Sequence, residues 1–327
     1  MVPDNDRFGL DSPVENNKSP KVSIGMPVYN GEKFIQRALD SLLNQSFTDF
    51  ELIISDNAST DDTPTICLEY ATKDERIHYY RNDVTIAPIP NFNRVLNYAS
   101  GQYFMWAAHD DRWAPSFIEC LVQSLDINPQ AVLAFCRFIN IDEDGRLARK
   151  FKTNWADVFS RSKFWQLAFL ILTDDHNTQK ATHIYGLIRR DALLECGGMI
   201  VLPGIDYAGE DNLTLLRLLA KSDFVIVDQV LFHYRARSSA TRPDDEPLAD
   251  YIWQRIARRK PNHQGNLFLF FKRNHVYYSN VRKLITNETS LPLSEKLLLR
   301  LVVTLKEMWF PISFLPIAAL RELRILR

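Results

Sequence analysis

The sequence has few cysteines and little uninterrupted apolar sequence. Its four cysteines stand at no metal-ligand spacing, which argues against a structural zinc site and favours reduced thiols. The C-terminal apolar stretch is broken by charges and prolines, and its uncharged piece, Met308–Leu320, is shorter than the ~20 residues that a membrane-spanning helix needs. Residues 1–20 are polar and carry no signal-peptide pattern, so we expect a cytoplasmic protein with a disordered N-terminal lead.

Acidic and basic residues are unevenly distributed, although the formal net charge is only −1. Residues 1–250 hold 25 Lys+Arg and 36 Asp+Glu, a balance of −11. Residues 251–327 hold 14 and 4, a balance of +10. A basic tail of this kind often meets phosphates or anionic lipid, and the alternative is a solvated helical face.

Predicted strands and helices alternate over residues 21–128, which indicates a parallel sheet with right-handed crossovers. Apolar runs predict strands at 22–29, 52–54, 77–80, 103–108, 131–140, 184–188 and 224–233. Helical patterns dominate after Asp250. We therefore expect an α/β domain over residues 21–240, followed by a basic helical C-terminal extension over residues 241–327.

Two acidic clusters follow two of these buried strands. The first runs from Asp56 to Asp62, and the second is Asp110–Asp111. Carboxylates at the carboxyl ends of parallel strands lie where open α/β sheets bind ligands. One cluster could recognise a sugar–base unit, and the other could hold a divalent metal against a diphosphate. The alternative for both is a polar turn that caps the following helix.

Eight short segments, taken in order, resemble family 2 glycosyltransferases of the GT-A fold. They are Pro27–Glu32, Ser41–Ser46, Ser55–Asp61, Gly101–Tyr103, Ala108–Asp111, Tyr185–Arg190, Gly209–Asp211 and His233–Arg235. The resemblance covers about residues 21–240. It implies a Rossmann-like α/β fold with a mostly parallel central sheet flanked by helices. It also implies a nucleotide-diphospho-sugar donor, Mg²⁺ or Mn²⁺, and inverting transfer to an acceptor hydroxyl.

The resemblance also implies roles for individual residues. Pro27, Tyr29, Asn30 and Glu32 would belong to the nucleotide-binding first loop, Asp56 with Asn57 would meet the base, Asp110 would bind the metal, and Asp211 with Glu210 beside it would supply the catalytic base. Asp111 and His233 are further candidates for the metal site, and Arg235 or Arg237 could reach the diphosphate in a bidentate contact. Glu210 and Asp211 could instead serve only as first-turn acids of a helix.

The chain departs from the family pattern at Ala108, where the first acid of the usual Asp-x-Asp motif would stand. This leaves open a catalytically weak sugar-nucleotide-binding protein. A nucleotidyltransferase that makes sugar nucleotides would carry a glycine-rich basic loop after the first strand, and the chain has none there. A phosphatase with an Asp nucleophile would need a hydroxyl residue after its Asp-x-Asp, and this too is missing. The Gln-x-x-Arg-Trp motif of processive enzymes is absent, so we expect a single transfer.

The C-terminal segment Met308–Leu320 contains Trp309 and Phe310 and is followed by Arg321, Arg324 and Arg327. These features suit a helix that lies at a membrane interface near a lipid-linked acceptor. Packing against the catalytic domain or against a second subunit is the alternative, so a homo-oligomer stays open. Expected partners are the sugar nucleotide and a glycan, lipid-linked or other hydroxyl acceptor, with no nucleic acid.

Overall fold

The computed structural model describes residues 19–151, 153–173, 179–202, 209–235 and 266–322, with side chains given for 272–308 in the last range. The expected disordered lead therefore lies almost entirely outside the described residues. The first part of the expected extension, up to residue 265, also lies outside them.

Nine strands form one sheet within the described residues. They are β1 Val22–Val28, β2 Phe50–Asp56, β3 Ile77–Arg81, β4 Tyr103–Trp106, β5 Arg112–Trp113, β6 Ala131–Ile141, β7 Leu147–Lys150, β8 Leu187–Arg189 and β9 Asp223–Arg235. Their order is β3-β2-β1-β4-β8-β6-β9-β5, and β7 pairs with β6.

The sheet is mixed, with one dominant strand direction. β1 is parallel to β2 and β4, and β2 is parallel to β3. β8 runs antiparallel to both β4 and β6, so β6 and its parallel neighbour β9 run in the direction of β4. β5 and β7 are antiparallel to their neighbours. The predicted α/β fold with a mostly parallel central sheet is therefore confirmed.

Ten α-helices flank the sheet within the described part of the chain. They are α1 Ile35–Leu43, α2 Thr63–Lys73, α3 Pro88–Tyr98, α4 Phe117–Ile127, α5 Trp155–Ser160, α6 Lys163–Leu172, α7 Arg190–Glu195, α8 Glu210–Lys221, α9 Asn266–Asn287 and α10 Leu293–Glu322. A short 3₁₀ helix, Lys180–Tyr185, precedes β8. α9 and α10 confirm the expected C-terminal helices.

Two hydrophobic layers form on opposite faces of the sheet. Helices α1, α2 and α4 pack on one face, and α3 with α5 to α10 contribute to the other. β4 illustrates the two-residue period, because Tyr103 and Met105 join the first layer while Phe104 and Trp106 join the second. All four side chains are fully buried, each contributing roughly 2–3 kcal/mol of transfer free energy. The sheet is thus a rigid support for the loops at its edge.

The C-terminal helices pack on the same layer as α8. Tyr278 of α9 and Leu299 and Val303 of α10 are buried in that layer. Glu307 of α10 accepts a hydrogen bond from Arg282 and lies 2.7 Å from the His275 ring, so charged contacts also join α9 to α10. None of the helices described is long and apolar enough to cross a membrane.

Candidate active site

The candidate site lies at the edge of the sheet where β1, β2 and β4 end. These strands are parallel, so the residues that follow Val28, Asp56 and Trp106 leave the sheet together. Pro27 lies inside β1 and is buried, so the first loop begins one residue after Val28 and Pro27 does not form part of it. This corrects the sequence-based placement of Pro27 in the loop. The edge itself is where the resemblance predicts donor binding.

The first loop, which follows β1, is held to the second loop, which follows β2. The hydrogen bonds between them join backbone amides to side chains. The bonds are Asn30 amide to Ser59 Oγ (2.9 Å), Gly31 amide to Thr63 Oγ1 (2.7 Å), Glu32 amide to Asp61 Oδ2 (3.1 Å), Thr60 amide to Asn30 Oδ1 (2.9 Å) and Asp62 amide to Glu32 Oε2 (3.0 Å). Burial raises the pKa of Asp61, but hydrogen bonds from Thr63 and Glu32 outweigh this and place it below its usual value. Tyr29 remains 48% exposed, so its ring is available to a ligand.

Asp56 is the centre of a buried polar cluster. Its Oδ1 accepts from the Ser59 amide (2.9 Å), and its Oδ2 accepts from the Tyr79 hydroxyl (2.8 Å) and Arg81 Nη1 (2.9 Å). Arg81 also donates to the Ser59 carbonyl. Burial, followed by the bond to Asp56, raises the pKa of Tyr79. The Asp56 side chain is fully buried whereas that of Arg81 is 42% exposed, so Arg81 is the charged member that meets solvent.

Asn57 holds a neighbouring loop. Its Nδ2 donates to the Ile86 carbonyl (2.8 Å), and its Oδ1 accepts from the Ile86 amide and from Asn82 Nδ2 (2.9 Å each). The side chain is 5% exposed. The structure therefore gives Asn57 a role in fixing the loop before α3, and its contact with a donor stays a prediction.

Asp110 and Asp111 form a turn after β4 that is tied down by the end of β9. The Arg235 amide donates to Asp111 Oδ1 (2.7 Å), and Arg235 Nε donates to the Asp110 carbonyl (2.7 Å). Arg235 Nη1 donates to the carbonyls of Asp142 and Glu143, and the guanidinium lies 4.5 Å from the centre of the Phe34 ring. These contacts join four segments of the chain.

Arg235 therefore differs from its sequence-based prediction. It is 3% exposed, and its guanidinium is directed toward the carbonyls of two turns. In this arrangement the predicted bidentate contact with a diphosphate is not available. The sequence suggested a ligand contact because an arginine follows the last strand. Its hydrogen bonds reach carbonyls that lie 92 to 125 positions away in the sequence, which makes it a positioning residue. Arg237, the other candidate, lies outside the described residues.

The Asp110–Asp111 turn, here called the acid turn, places two carboxylates side by side, and that of Asp111 is buried. Asp111 is 1% exposed, and its Oδ2 is a buried atom without a hydrogen-bond partner among the described residues. Burial, with the adjacent Asp110 carboxylate, raises the pKa of Asp111 well above its usual value. A divalent cation beside this pair would offset the repulsion. The donor set thus fits an ion held by one or two carboxylates together with substrate phosphates.

His233 does not complete a three-residue metal site. It lies on β9 opposite Arg112, and burial followed by the Arg112 charge lowers its pKa. Across the described ranges, no group of three or more His, Cys, Asp and Glu side chains is gathered closely enough to hold a metal. The predicted set of Asp110, Asp111 and His233 is therefore not brought together, because Asp111 is directed to the Arg235 amide and His233 lies within the strand pair.

Asp211 lies on a different element from the acid turn, helix α8. Gly209, at φ +91°, precedes α8, which begins at Glu210 and has Asp211 in its first turn, where the helix dipole favours a carboxylate. Glu210 is 4% exposed, so Asp211 is the more accessible of the two. Burial raises the pKa of Tyr185 well above its usual value, and Tyr234, Asp111, Asp110 and Asp211 raise it further.

Sequence reasoning missed three residues of this region. Tyr79 and Arg81 end β3 beside Asp56, and the strand order would have placed them at the same edge. Tyr185 belongs to a matched segment but was given no role. A signal for it was its position just before β8, the strand that links the two halves of the sheet.

The sequence profile described as glycosyl transferase family 2 matches residues 23–197, more than half of the chain. The chain belongs to glycosyltransferase family 2.

Individual family members and structures agree with this assignment. The chain is 31% identical over 133 residues to a Campylobacter jejuni GalNAc(5)-diNAcBac-PP-undecaprenol beta-1,3-glucosyltransferase, a match that covers 40% of this chain and 42% of that protein. In each of these curated relatives, the match to this chain covers only about two fifths of the relative's length. S. aureus TarS in complex with UDP-GlcNAc superposes with a TM-score of 0.54 at 16% identity, covering 84% of this chain and 77% of that one.

A second structural relative is a mannosyltransferase from Pyrobaculum calidifontis, solved with GDP-Man and Mn²⁺. It superposes with a TM-score of 0.50 at 16% identity and covers 94% of this chain and 88% of that one. Both structures support the GT-A fold of this family 2 member. At this level of identity they establish the fold alone.

Proposed function

We propose that this family 2 protein is an inverting glycosyltransferase. It would transfer a sugar from a nucleotide-diphospho-sugar to an acceptor hydroxyl in glycan or polysaccharide biosynthesis. The observation that carries the proposal is the Asp110–Asp111 pair at the sheet edge where the loops after β1 and β2 also leave the sheet, with Asp111 buried and its Oδ2 without a hydrogen-bond partner among the described residues. The relatives named for glucosyl transfer and those solved with UDP-GlcNAc or GDP-Man support this class of donor.

Donor binding is assigned to the first two loops and to the Asp56 cluster. Asp56 is fully buried beneath Arg81, so a base would meet the exposed Arg81 guanidinium first. Tyr29 is the exposed aromatic residue of the first loop. The hydrogen bonds that tie Asn30 and Glu32 to the second loop make this half of the site preorganised, which lowers the entropic cost of binding.

Asp211 is proposed as the general base. It would accept the proton of the acceptor hydroxyl while that oxygen attacks the anomeric carbon. The bond from this carbon to the diphosphate oxygen would break in the same displacement, which inverts the configuration. Proton transfer of this kind contributes ~10²–10⁴-fold to rate. Mg²⁺ or Mn²⁺, when bound by Asp110 and Asp111, would stabilise the charge on the departing diphosphate.

Ala108 favours one second candidate, a sugar-nucleotide-binding protein with weak catalysis. The two candidates separate in the Asp211→Asn variant. For a transferase, donor turnover should fall ~10²–10⁴-fold while donor affinity changes little. Asp191→Asn is the matched control, because Asp191 is also a first-turn acid but its side chain is 92% exposed on α7. Equal turnover in wild type and Asp211→Asn would contradict the role of Asp211 and favour the binding protein.

The base is identified by a thermal-shift panel of nucleoside diphosphates with and without Mn²⁺, because a ligand of the native state raises its Tm. A shift that is larger with one base and increases with Mn²⁺ supports the proposal. No shift with any diphosphate contradicts it.

The catalytic domain is proposed to end near residue 240, with the C-terminal helices as an extension. The protein is proposed to act in the cytoplasm, on a lipid-linked acceptor at the membrane face.

A further inference from the structure

Helix α10 carries an apolar line on the side that faces away from the core. Leu297, Leu301, Leu305 and Met308 are 55%, 56%, 55% and 59% exposed. Their spacing of three or four residues places them on one face of the helix. Leu298, 49% exposed, lies beside them. We call these five residues the leucine face.

The leucine face is opposite to the side that anchors α10. Leu299 and Val303 are fully buried in the core layer, and they lie about half a turn from Leu297 and Leu301. A surface helix that packs by one apolar stripe normally carries polar residues on its other side. α10 is apolar on both, so its exposed side is not explained by packing against the part of the chain that the structure describes.

Among the described side chains of α9 and α10, the charged residues classed as exposed are all basic. Arg300, Lys272 and Lys283 are exposed on α10 and α9. Of the half-buried acids of α10, Glu307 is paired with Arg282 and His275 and its side chain is 17% exposed, and Glu295 lies in the first turn of the helix. Residues 251–327 as a whole carry 14 Lys+Arg against 4 Asp+Glu. An apolar face with basic residues around it fits an anionic lipid surface.

We propose that α10 lies flat on an anionic membrane surface, with the leucine face inserted at the headgroup boundary. The same charge argues against a second copy of this chain. In a two-fold dimer the same basic patch would face itself, and like charges across an interface oppose association. This surface begins earlier in the helix than the Met308–Leu320 segment that the sequence singled out, and shares only Met308 with it.

The candidate active site would then lie close to the membrane surface. Arg217 of α8 forms an ion pair with Glu288 at the end of α9 (2.9 Å), and a Cβ at Gly209 would lie 3.1 Å from the Tyr277 ring of α9. These contacts fix the C-terminal helices against the helix that carries Asp211. The inference that an acceptor is anchored in the same membrane rests on the proposed function, whereas the binding of lipid does not.

The test is flotation of the full chain with vesicles of phosphatidylglycerol and phosphatidylcholine, compared with phosphatidylcholine alone. Wild type should float with the anionic vesicles and less at high salt. The double variant Leu301→Glu, Leu305→Glu should bind at least about tenfold more weakly. Leu68→Glu with Ile127→Glu is the matched control, because these residues are 52% and 78% exposed on α2 and α4. The control should float like wild type.

Three outcomes would overturn the proposal. Wild type could fail to float with anionic vesicles, or the leucine-face variant could float as wild type does. Alternatively, sedimentation could reveal a dimer that dissociates in the leucine-face variant, without vesicle binding by either protein. Nucleoside diphosphate binding is measured on the same proteins by thermal shift. Flotation uses no sugar nucleotide, so failure of the lipid proposal and failure of the proposed function give separate results.

Discussion

The Asp56 cluster and the acid turn lie at the same edge of the sheet but are built differently. The Asp56 carboxylate is buried and accepts three hydrogen bonds, one of them from a charged donor. Asp111 is as deeply buried, but it has a like-charged neighbour and one oxygen without a partner in the described structure. A satisfied cluster makes a rigid recognition site, whereas the acid turn is electrostatically unfavourable until a cation arrives.

The largest expected effect is the loss of stability when Arg235, which supports the acid turn, is replaced. Arg235→Met removes the guanidinium that holds three backbone carbonyls and leaves the two carboxylates without a positive neighbour at this point. We expect the free energy of unfolding to fall by about 3–5 kcal/mol, measured by urea denaturation. Arg235→Lys keeps the positive charge but not the planar guanidinium with its several donors, so its stability should recover only part of the loss. Wild-type stability in Arg235→Met would contradict the positioning role.

Substitutions in the Asp56 cluster should lower the free energy of unfolding somewhat less. Asp56→Asn places an amide where Tyr79 and Arg81 donate, so we expect a loss of about 2–3 kcal/mol. Tyr79→Phe removes one donor only and should cost about 1 kcal/mol. Chemical denaturation of both variants checks the ratio. Equal losses would mean that the carboxylate is not the centre of the cluster.

Acid sensitivity is expected from His183, which is buried among Phe135 and Trp155. Burial lowers its pKa to about 3. The unfolded state binds a proton below about pH 6.5 and the native state does not, so stability falls as pH decreases from 6.5 toward 3. Between pH 6 and pH 4 this should cost about 2 kcal/mol.

The measurement is urea denaturation of wild type and His183→Asn across this pH range. The difference in the free energy of unfolding between the two proteins should change by about 2 kcal/mol, with the variant losing less as the pH falls. Parallel pH profiles would show that His183 does not contribute to acid sensitivity.

The smallest effect is expected at Asp111. Asp111→Asn keeps the oxygen that accepts from the Arg235 amide and removes the repulsion with Asp110. We therefore expect stability within about 0.5 kcal/mol of wild type or slightly above it. The Mn²⁺-dependent part of the thermal shift by a nucleoside diphosphate should decrease. A large destabilisation of Asp111→Asn would mean that the two clusters are built alike.

The sequence predicted the parts of the fold that depend on local pattern. β1 and β2 are continuous buried runs, and each acid cluster follows a strand as expected. α3 begins at Pro88, because proline is accommodated in the first turn of a helix. The strand expected at 184–188 is divided into the end of a 3₁₀ helix and β8. Family membership and fold class are confirmed.

The supports of the site could not be predicted in the same way. Arg235 reaches Asp110 across 125 positions, and nothing in the local sequence specifies that contact. Asn57 and Asp56 were expected to face a ligand because polar residues after a strand usually do so, yet both are buried and bonded within the protein. Only the pairing of β3 with β2 brings Tyr79 and Arg81 to Asp56. These roles depend on long-range pairing.

The most direct test of the account is a crystal structure with Mn²⁺ and the nucleoside diphosphate that gives the largest thermal shift. We expect an anomalous manganese peak within coordination distance of an Asp110 carboxylate oxygen, on the side that faces Asp211, with the diphosphate completing the coordination. Manganese elsewhere, or a diphosphate bound away from Asp110 and Asp211, would contradict the assignment of this edge as the active site.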